Sequence, residues 1–351
     1  MTLLKMFNSK LQFQIDSSAD MLRLNHGKRM ERARQRLREQ LDASDLDKAT
    51  LVYHNIGFTG SSSFSSSLGR AFDTAVYGYE ELNCNSSEEF IKRVAERGTN
   101  KKLISIHTRA PSVTPALQGS CFDIQLLRVP EKVYTSIYYW HLKLLNEGQL
   151  TGPMLDAARG IADRSFESYV NDYIPGLPNT VSRGILISML DPREFSDINA
   201  LIAYAHGVSD DELYTRVREG LLRYGFVGIT EYMSESLFSL LFLLGENKFP
   251  LWPKVGVSSA PPLEQMDASL REKIRSVCRV DCKIYEEFHD LFLSRYAEPI
   301  AVFRESIGSL CAVDKTTLIQ KSAGNWNDAS GTTANPFIAT LRRLRRALRE
   351  L

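Results

Sequence analysis

Leu51, Val52 and Tyr53 form a short apolar, β-favouring run that gives way to a loop of small residues, Gly57 to Ser63. Beyond the loop, Phe64, Leu68 and Ala71 or Phe72 recur at helical spacing, which predicts strand, loop, helix in succession. The same reasoning predicts a second strand over Lys101 to His107, a two-proline loop over Thr108 to Gly119, and a third strand over Phe122 to Arg128. A helix from about Glu131 to Asn146 follows, with Val133, Tyr134, Ile137, Tyr138, Leu142 and Leu145 on its apolar side. A short late strand is predicted at Phe226 to Glu231, then an apolar helix from Ser234 or Glu235 to Leu244. Strands alternating with helices predict an α/β protein with a parallel sheet.

The remaining pattern divides the chain into an N-terminal extension (1–50), an α/β domain (51–305) with a helical insert (151–225), and a C-terminal region (306–351). In the extension a charged helix, roughly His26 to Leu41, carries a thin apolar stripe of Met30, Ala33, Leu37 and Leu41, as expected of a helix packed on the domain, with an arginine-rich polyanion-binding arm the alternative. Tyr77 to Leu82 reads as a linking segment before a helix near Ser87 to Arg97. In the insert, helices are predicted over Met154 to Asn171, Ile198 to Ala205 and Asp210 to Tyr224, with Asn179 to Ser188 a loop entering an apolar run. Lys248 to Pro262, with four prolines, reads as a surface loop, and helices follow over Leu263 to Arg279 and Cys282 to Glu305. The stretch 306–334 is polar and is expected to be poorly ordered. Pro336 to Leu351 reads as a basic amphipathic helix whose apolar side predicts docking on the domain or on a partner subunit in a homo-oligomer, with membrane-surface attachment the alternative.

Lys and Arg number 43 against 42 Asp and Glu, so charge gives no argument for nucleic-acid binding. The five cysteines are odd in number and lack a CxxC pair. Cys278 and Cys282 are spaced as one helical turn, so reduced thiols in a cytoplasmic protein are expected. The longest apolar run, near Leu237 to Leu244, is too short to cross a bilayer. No grouping of His, Cys and carboxylates suggests a metal site.

A strand, a small-residue loop and a helix N-terminus make an anion cradle: loop amides and the positive end of the helix point at one spot. Gly57 and Gly60 are expected to permit positive φ there. A flexible serine-rich turn is the alternative, and the loop lacks the Gly-Lys-Ser/Thr ending of a Walker loop. Downstream, Arg128-Val-Pro130 closes a strand, Ser136 follows eight residues after the arginine, and Tyr138 and Tyr139 come next. Later come Phe226 to Glu231 and Asp281 with Tyr285 four residues on. In this order the pieces resemble the sulfotransferases that use 3′-phosphoadenosine-5′-phosphosulfate (PAPS), specifically the carbohydrate-type branch, over about 51–297. The resemblance implies a P-loop-like three-layer sandwich and transfer of a sulfuryl group to a hydroxyl of a saccharide or small metabolite, without a metal.

By that resemblance Gly60, Ser61, Ser62 and Ser63 hold the 5′-phosphosulfate, and Arg128 with Ser136 holds the 3′-phosphate. Ser258 and Ser259, with Lys254, belong to a loop closing over the nucleotide. A guanidinium fork suits a phosphate. His107 is the expected catalytic base, its pKa suited to neutral pH; a strand-end histidine bonded to backbone is the alternative. Arg109 could hold an anionic acceptor, while His54, bonded to loop backbone, Glu231 and the Asp281–Tyr285 pair are assigned structural roles. The sequence departs from the family where the loop lysine is expected: Gly57 stands there. Arg70, Lys101, Lys102 and Arg109 are the nearby cations considered as substitutes. Two further readings therefore stand beside the active enzyme: a degenerate homologue that binds the nucleotide, and a P-loop kinase, which would need the missing lysine-bearing loop.

Overall fold

The computed structural model describes residues 12–16, 21–25, 28–41, 46–72, 74–77, 86–98, 102–107, 111–117, 119–148, 153–246, 248–250 and 260–306. Its strands are β1 (Gln12–Asp16), β2 (Met21–Asn25), β3 (Thr50–Asn55), β4 (Thr74–Tyr77), β5 (Leu103–His107), β6 (Cys121–Leu127), β7 (Phe226–Ile229) and β8 (Lys248–Pro250). Its longer helices are α1 (Lys28–Gln40), α2 (Ser61–Ala71), α3 (Ser87–Gly98), α4 (Pro130–Asn146), α5 (Pro153–Ala162), α6 (Thr180–Met189), α7 (Ile198–Gly207), α8 (Asp210–Arg223), α9 (Met233–Leu244), α10 (Ala268–Val277), α11 (Arg279–Arg295) and α12 (Ala297–Ser306).

Five strands form one sheet in the order β4-β5-β3-β6-β7, and every pairing in it is parallel. β3 is central, and its apolar run is buried on both faces, as expected of a parallel strand. Alternation sends Leu51 and Tyr53 to the main core with Phe64 and Leu68 of α2. It sends Val52, with Ile104 and Ile106 of β5, to a second core with Phe90 and Val94 of α3. Helices thus cover both faces. α2 is seated on β3 by the rings of Tyr53 and Phe64, 5.3 Å apart.

Several elements depart from the sequence reading. Thr74–Tyr77 is the edge strand β4, which no expected element covered; of the linking segment expected over Tyr77 to Leu82, Tyr77 closes this strand and the rest lies outside the described residues. The N-terminal extension contains strands as well as a helix: β1 and β2 pair antiparallel, and β2 pairs with β8 in a separate three-stranded sheet. Met30, Ala33 and Leu37 of α1 are buried in the main core. The span 180–189 is a helix rather than a loop, because its N-terminal amides are capped from a distant part of the chain: Asp281 accepts from Ser182 N at 2.7 Å and from Val181 N at 3.3 Å. The long helix expected over 154–171 ends at Ala162. A second helical stretch, Phe166 to Gly176, begins behind the N-cap Ser165 and contains a π-helical turn, Tyr169–Tyr173.

Among the described residues no helix is long and apolar enough to cross a membrane. Cys121, Cys278 and Cys282 are free thiols, and Cys282 N donates to Cys278 O at the start of α11. The polar stretch beyond residue 306 and the basic C-terminal helix lie outside the described residues.

Candidate functional site at the C-terminal edge of the sheet

All five strands run the same way, so β3, β5, β6 and β7 deliver their C-terminal ends to one edge. From β3 the chain first builds β4 and β5 on one side, then crosses to β6 and β7 on the other. Such a reversal opens a crevice beside the central strand, the usual place for a ligand in open α/β sheets. Asn55 closes β3 and is in register with His107, the last residue of β5. The Asn55 Oδ1 is buried with no hydrogen-bond partner among the described residues.

The loop from β3 to α2 is tightly folded. Thr59 is buried, and its hydroxyl donates to Ile56 O at 2.7 Å. The left-handed positions are Phe58 (φ 68°) and Gly60 (φ 78°); Gly57, expected to use positive φ, does not. A left-handed phenylalanine costs about 1–2 kcal/mol against Cβ crowding, so the surroundings hold it there. Thr230, just after β7, donates its hydroxyl to Thr59 O. A Cβ on Gly60 would stand 2.6 Å from Thr230 Cγ2 and 2.8 Å from Met233 Cε, so the loop and the end of β7 meet only because residue 60 has no side chain.

Gly60 is the N-cap of α2, and Ser61, Ser62 and Ser63 form its first turn. The first main-chain bond of the helix runs from Phe64 N to Gly60 O, so amides ahead of it have no partner within the helix. The four loop residues expected to cradle an anion sit at a helix N-terminus on the C-terminal edge of the sheet.

Arg128 follows β6 directly. Its Nη1 donates to Phe58 O at 2.8 Å and to Ser136 Oγ at 3.1 Å. The strand end, the first two turns of α4 and the β3–α2 loop thus converge on one guanidinium. Among the described residues no carboxylate lies within ion-pair distance of it. Burial lowers its pKa, while the charge of Glu231 acts the other way. Glu231 is occupied elsewhere: Tyr285 OH donates to it at 3.2 Å, Val129 N at 3.4 Å, and Lys132 Nζ lies 3.5 Å away. It ties the ends of β6 and β7 to α11, a scaffold role.

The other expected residues fall as follows. His54 is buried, but its Nε2 meets Asp123 Oδ1 on β6 at 2.8 Å and its ring lies 5.2 Å from that of Tyr224. It is structural, through a neighbouring strand rather than through loop backbone. Lys102 cannot replace the loop lysine. It precedes β5, at the opposite edge of the sheet, and its Nζ donates to the carbonyls of Leu46, Asp47 and Ala49. Arg70 is next to last in α2, roughly 14 Å of helix rise from Ser61. Tyr138 and Tyr139 turn from the loop and pack with Phe166 and Tyr169. Asp281 does more than pack: besides the α6 amides it accepts from Tyr134 OH at 3.2 Å. Lys101, Arg109, Lys254, Ser258 and Ser259 lie outside the described residues.

Two residues at this edge escaped the sequence reading, Trp140 and Phe58. Trp140 lies two turns beyond Lys132 on α4 and meets the Phe58 ring edge-on, 5.5 Å between centroids. The spacing Lys132, Ser136, Trp140 places all three on one helix face, a signal legible once Ser136 is known to face the loop. Phe58 itself carried no signal, because its left-handed backbone is imposed by contacts remote in sequence. No family model matches the chain, and no curated protein matches it.

Proposed function

We propose that this edge binds a nucleotide bearing a 3′-phosphate, in a P-loop-like fold, and that the chain transfers a sulfuryl group from PAPS to a hydroxyl of a saccharide or small metabolite. One observation carries the reading: among the described residues the Arg128 guanidinium has no carboxylate within ion-pair distance, and it joins Ser136 Oγ to the carbonyl of a strand–loop–helix cradle. A partly buried arginine with no carboxylate in direct contact, only the more distant charge of Glu231, favours an anion, and a guanidinium suits a phosphate.

In this reading Arg128 and Ser136 hold the 3′-phosphate, and the first-turn amides of Gly60, Ser61, Ser62 and Ser63 hold the 5′-phosphosulfate. The acceptor oxygen attacks sulfur in line. The new S–O bond forms as the bond from sulfur to the bridging oxygen breaks, the acceptor's proton passes to His107, and 3′-phosphoadenosine 5′-phosphate (PAP) leaves. Positioning and charge stabilisation supply the rate, as in phosphoryl transfer. His107→Ala is expected to abolish transfer while leaving nucleotide affinity intact. A second reading rests on a specific feature of the loop: Ile56 to Ser63 contains no lysine, so the nucleotide would be bound without efficient transfer.

The test is calorimetric titration with PAP, with AMP and ATP as controls. Micromolar binding of PAP, with AMP weaker by at least about tenfold, is expected. No binding, or a preference for ATP, would overturn the proposal.

A further inference from the structure

We propose that Trp140 is the stacking platform for the base of the nucleotide, so that this site selects a purine nucleotide over a bare phosphate or sugar phosphate. The inference rests on the reading above and adds a residue to it. Lys132, Ser136 and Trp140 stand at i, i+4 and i+8 on α4 and share one face. Ser136 turns that face towards Arg128, and Trp140 turns it towards the Phe58 ring. One face thus carries a hydroxyl beside a guanidinium and, one turn on, an indole, while Lys132 at its start pairs with Glu231. A phosphate near Ser136 and a ring on Trp140 would be one helical turn apart, about 6 Å of rise, a span that a ribose covers.

Trp140 suits a platform in two further respects. It is among the few large apolar side chains left exposed, at 36 %, although it stands beside the core-facing turn of α4. It is also held in place: Phe58 meets it edge-on, and His141 does so at 4.8 Å. His141 is anchored in turn, its Nδ1 donating to Ile137 O at 2.7 Å. Phe58 links the two halves of the site, since its carbonyl receives Arg128 while its ring abuts Trp140. A partly exposed indole, in T-shaped contact with two neighbouring rings and one turn from a guanidinium, is an arrangement that base stacking can use.

The test titrates wild type, Trp140→Ala and Trp140→Phe with PAP and separately with inorganic pyrophosphate. Trp140→Ala is expected to weaken PAP binding about tenfold or more, with Trp140→Phe retaining most of the affinity and pyrophosphate binding equal in all three. PAP binding that is unchanged in Trp140→Ala would overturn this inference alone. Equal losses for PAP and pyrophosphate would also overturn it, assigning Trp140 to support of the loop. A wild type that fails to bind PAP would remove both this inference and the nucleotide reading.

Discussion

Arg128 reaches Ser136 across the junction of a strand and a helix, with Nη1 3.1 Å from Oγ. The hydroxyl stands two turns into α4, and only a helix that starts at Pro130 brings it back over the end of β6. Proline suits that first helical position: its φ is preset and its missing N–H would have had no partner there. The same guanidinium holds the Phe58 carbonyl, so the shape of the β3–α2 loop and the orientation of Arg128 depend on each other.

The loop's contact with β7 depends on Gly60. Gly60→Ala adds a methyl into Thr230 and Met233 at a left-handed residue, two penalties at one site. A loss of about 1–3 kcal/mol is expected, read as a lowered midpoint in urea unfolding. An unchanged midpoint would mean that the loop has a second arrangement of equal energy.

Asn179 and Asp281 cap each other's helices. Asp281 takes the first amides of α6, and Asn179 Oδ1 takes Val280 N at 3.0 Å and Asp281 N at 3.4 Å at the start of α11. Asp281→Ala leaves buried amides unpaired and is expected to cost about 2–4 kcal/mol. The double variant with Asn179→Ala should lose less than the sum of the two single losses, because the two sets of bonds join the same pair of helix starts and each holds the other in place. Strict additivity of the unfolding energies would contradict this coupling.

His141 gives a pH dependence. Burial lowers its pKa from an ordinary value near 6.5, with the bond to Ile137 O opposing. The unfolded chain therefore takes up a proton at higher pH than the folded one. The contribution of His141 to stability is fully present above its ordinary value and is lost as pH falls towards its folded value. Urea unfolding from pH 7.5 down to pH 5 should show a decline that His141→Gln reduces. Equal declines in both proteins would place the titration elsewhere.

In the proposed reading Gly57 stands where a sulfotransferase would carry a lysine, and its backbone makes no use of positive φ. Gly57→Lys is thus compatible with the loop. Transfer is expected to rise, by up to about 10²–10³ if the lysine supplies the missing stabilisation of the leaving oxygen. A fall in sulfuryl transfer would contradict the account of this loop.

The sequence carried the layout of the edge well. The apolar runs of β3, β5 and β6, the Gly/Ser loop and the periodicity of α4 place Gly60, Ser61, Ser62, Arg128 and Ser136 where the structure has them. What it hid depends on partners far along the chain. α6 begins Thr-Val-Ser-Arg-Gly, a poor helix start until Asp281 caps it from 100 residues away. β4 is four residues long, too short for period-two alternation to stand out. β1 and β2 do alternate, as Gln-Phe-Gln-Ile-Asp and Met-Leu-Arg-Leu-Asn, but β8, the other partner of β2, lies more than 200 residues on. Phe58 has a left-handed backbone where glycine would be the natural expectation, because Thr59, Thr230 and Arg128 hold the residues around it.

The central claim is that the 3′-phosphate of a nucleotide rests between Arg128 and Ser136. The most direct measurement is a cycle of four dissociation constants: PAP and AMP, each titrated into wild type and into Arg128→Ala. The account predicts that wild type prefers PAP by about 10- to 100-fold, the value of a charge-assisted contact, and that Arg128→Ala loses most of this preference, whatever change in the loop shifts both affinities in common. A preference for PAP that survives intact in Arg128→Ala would contradict it.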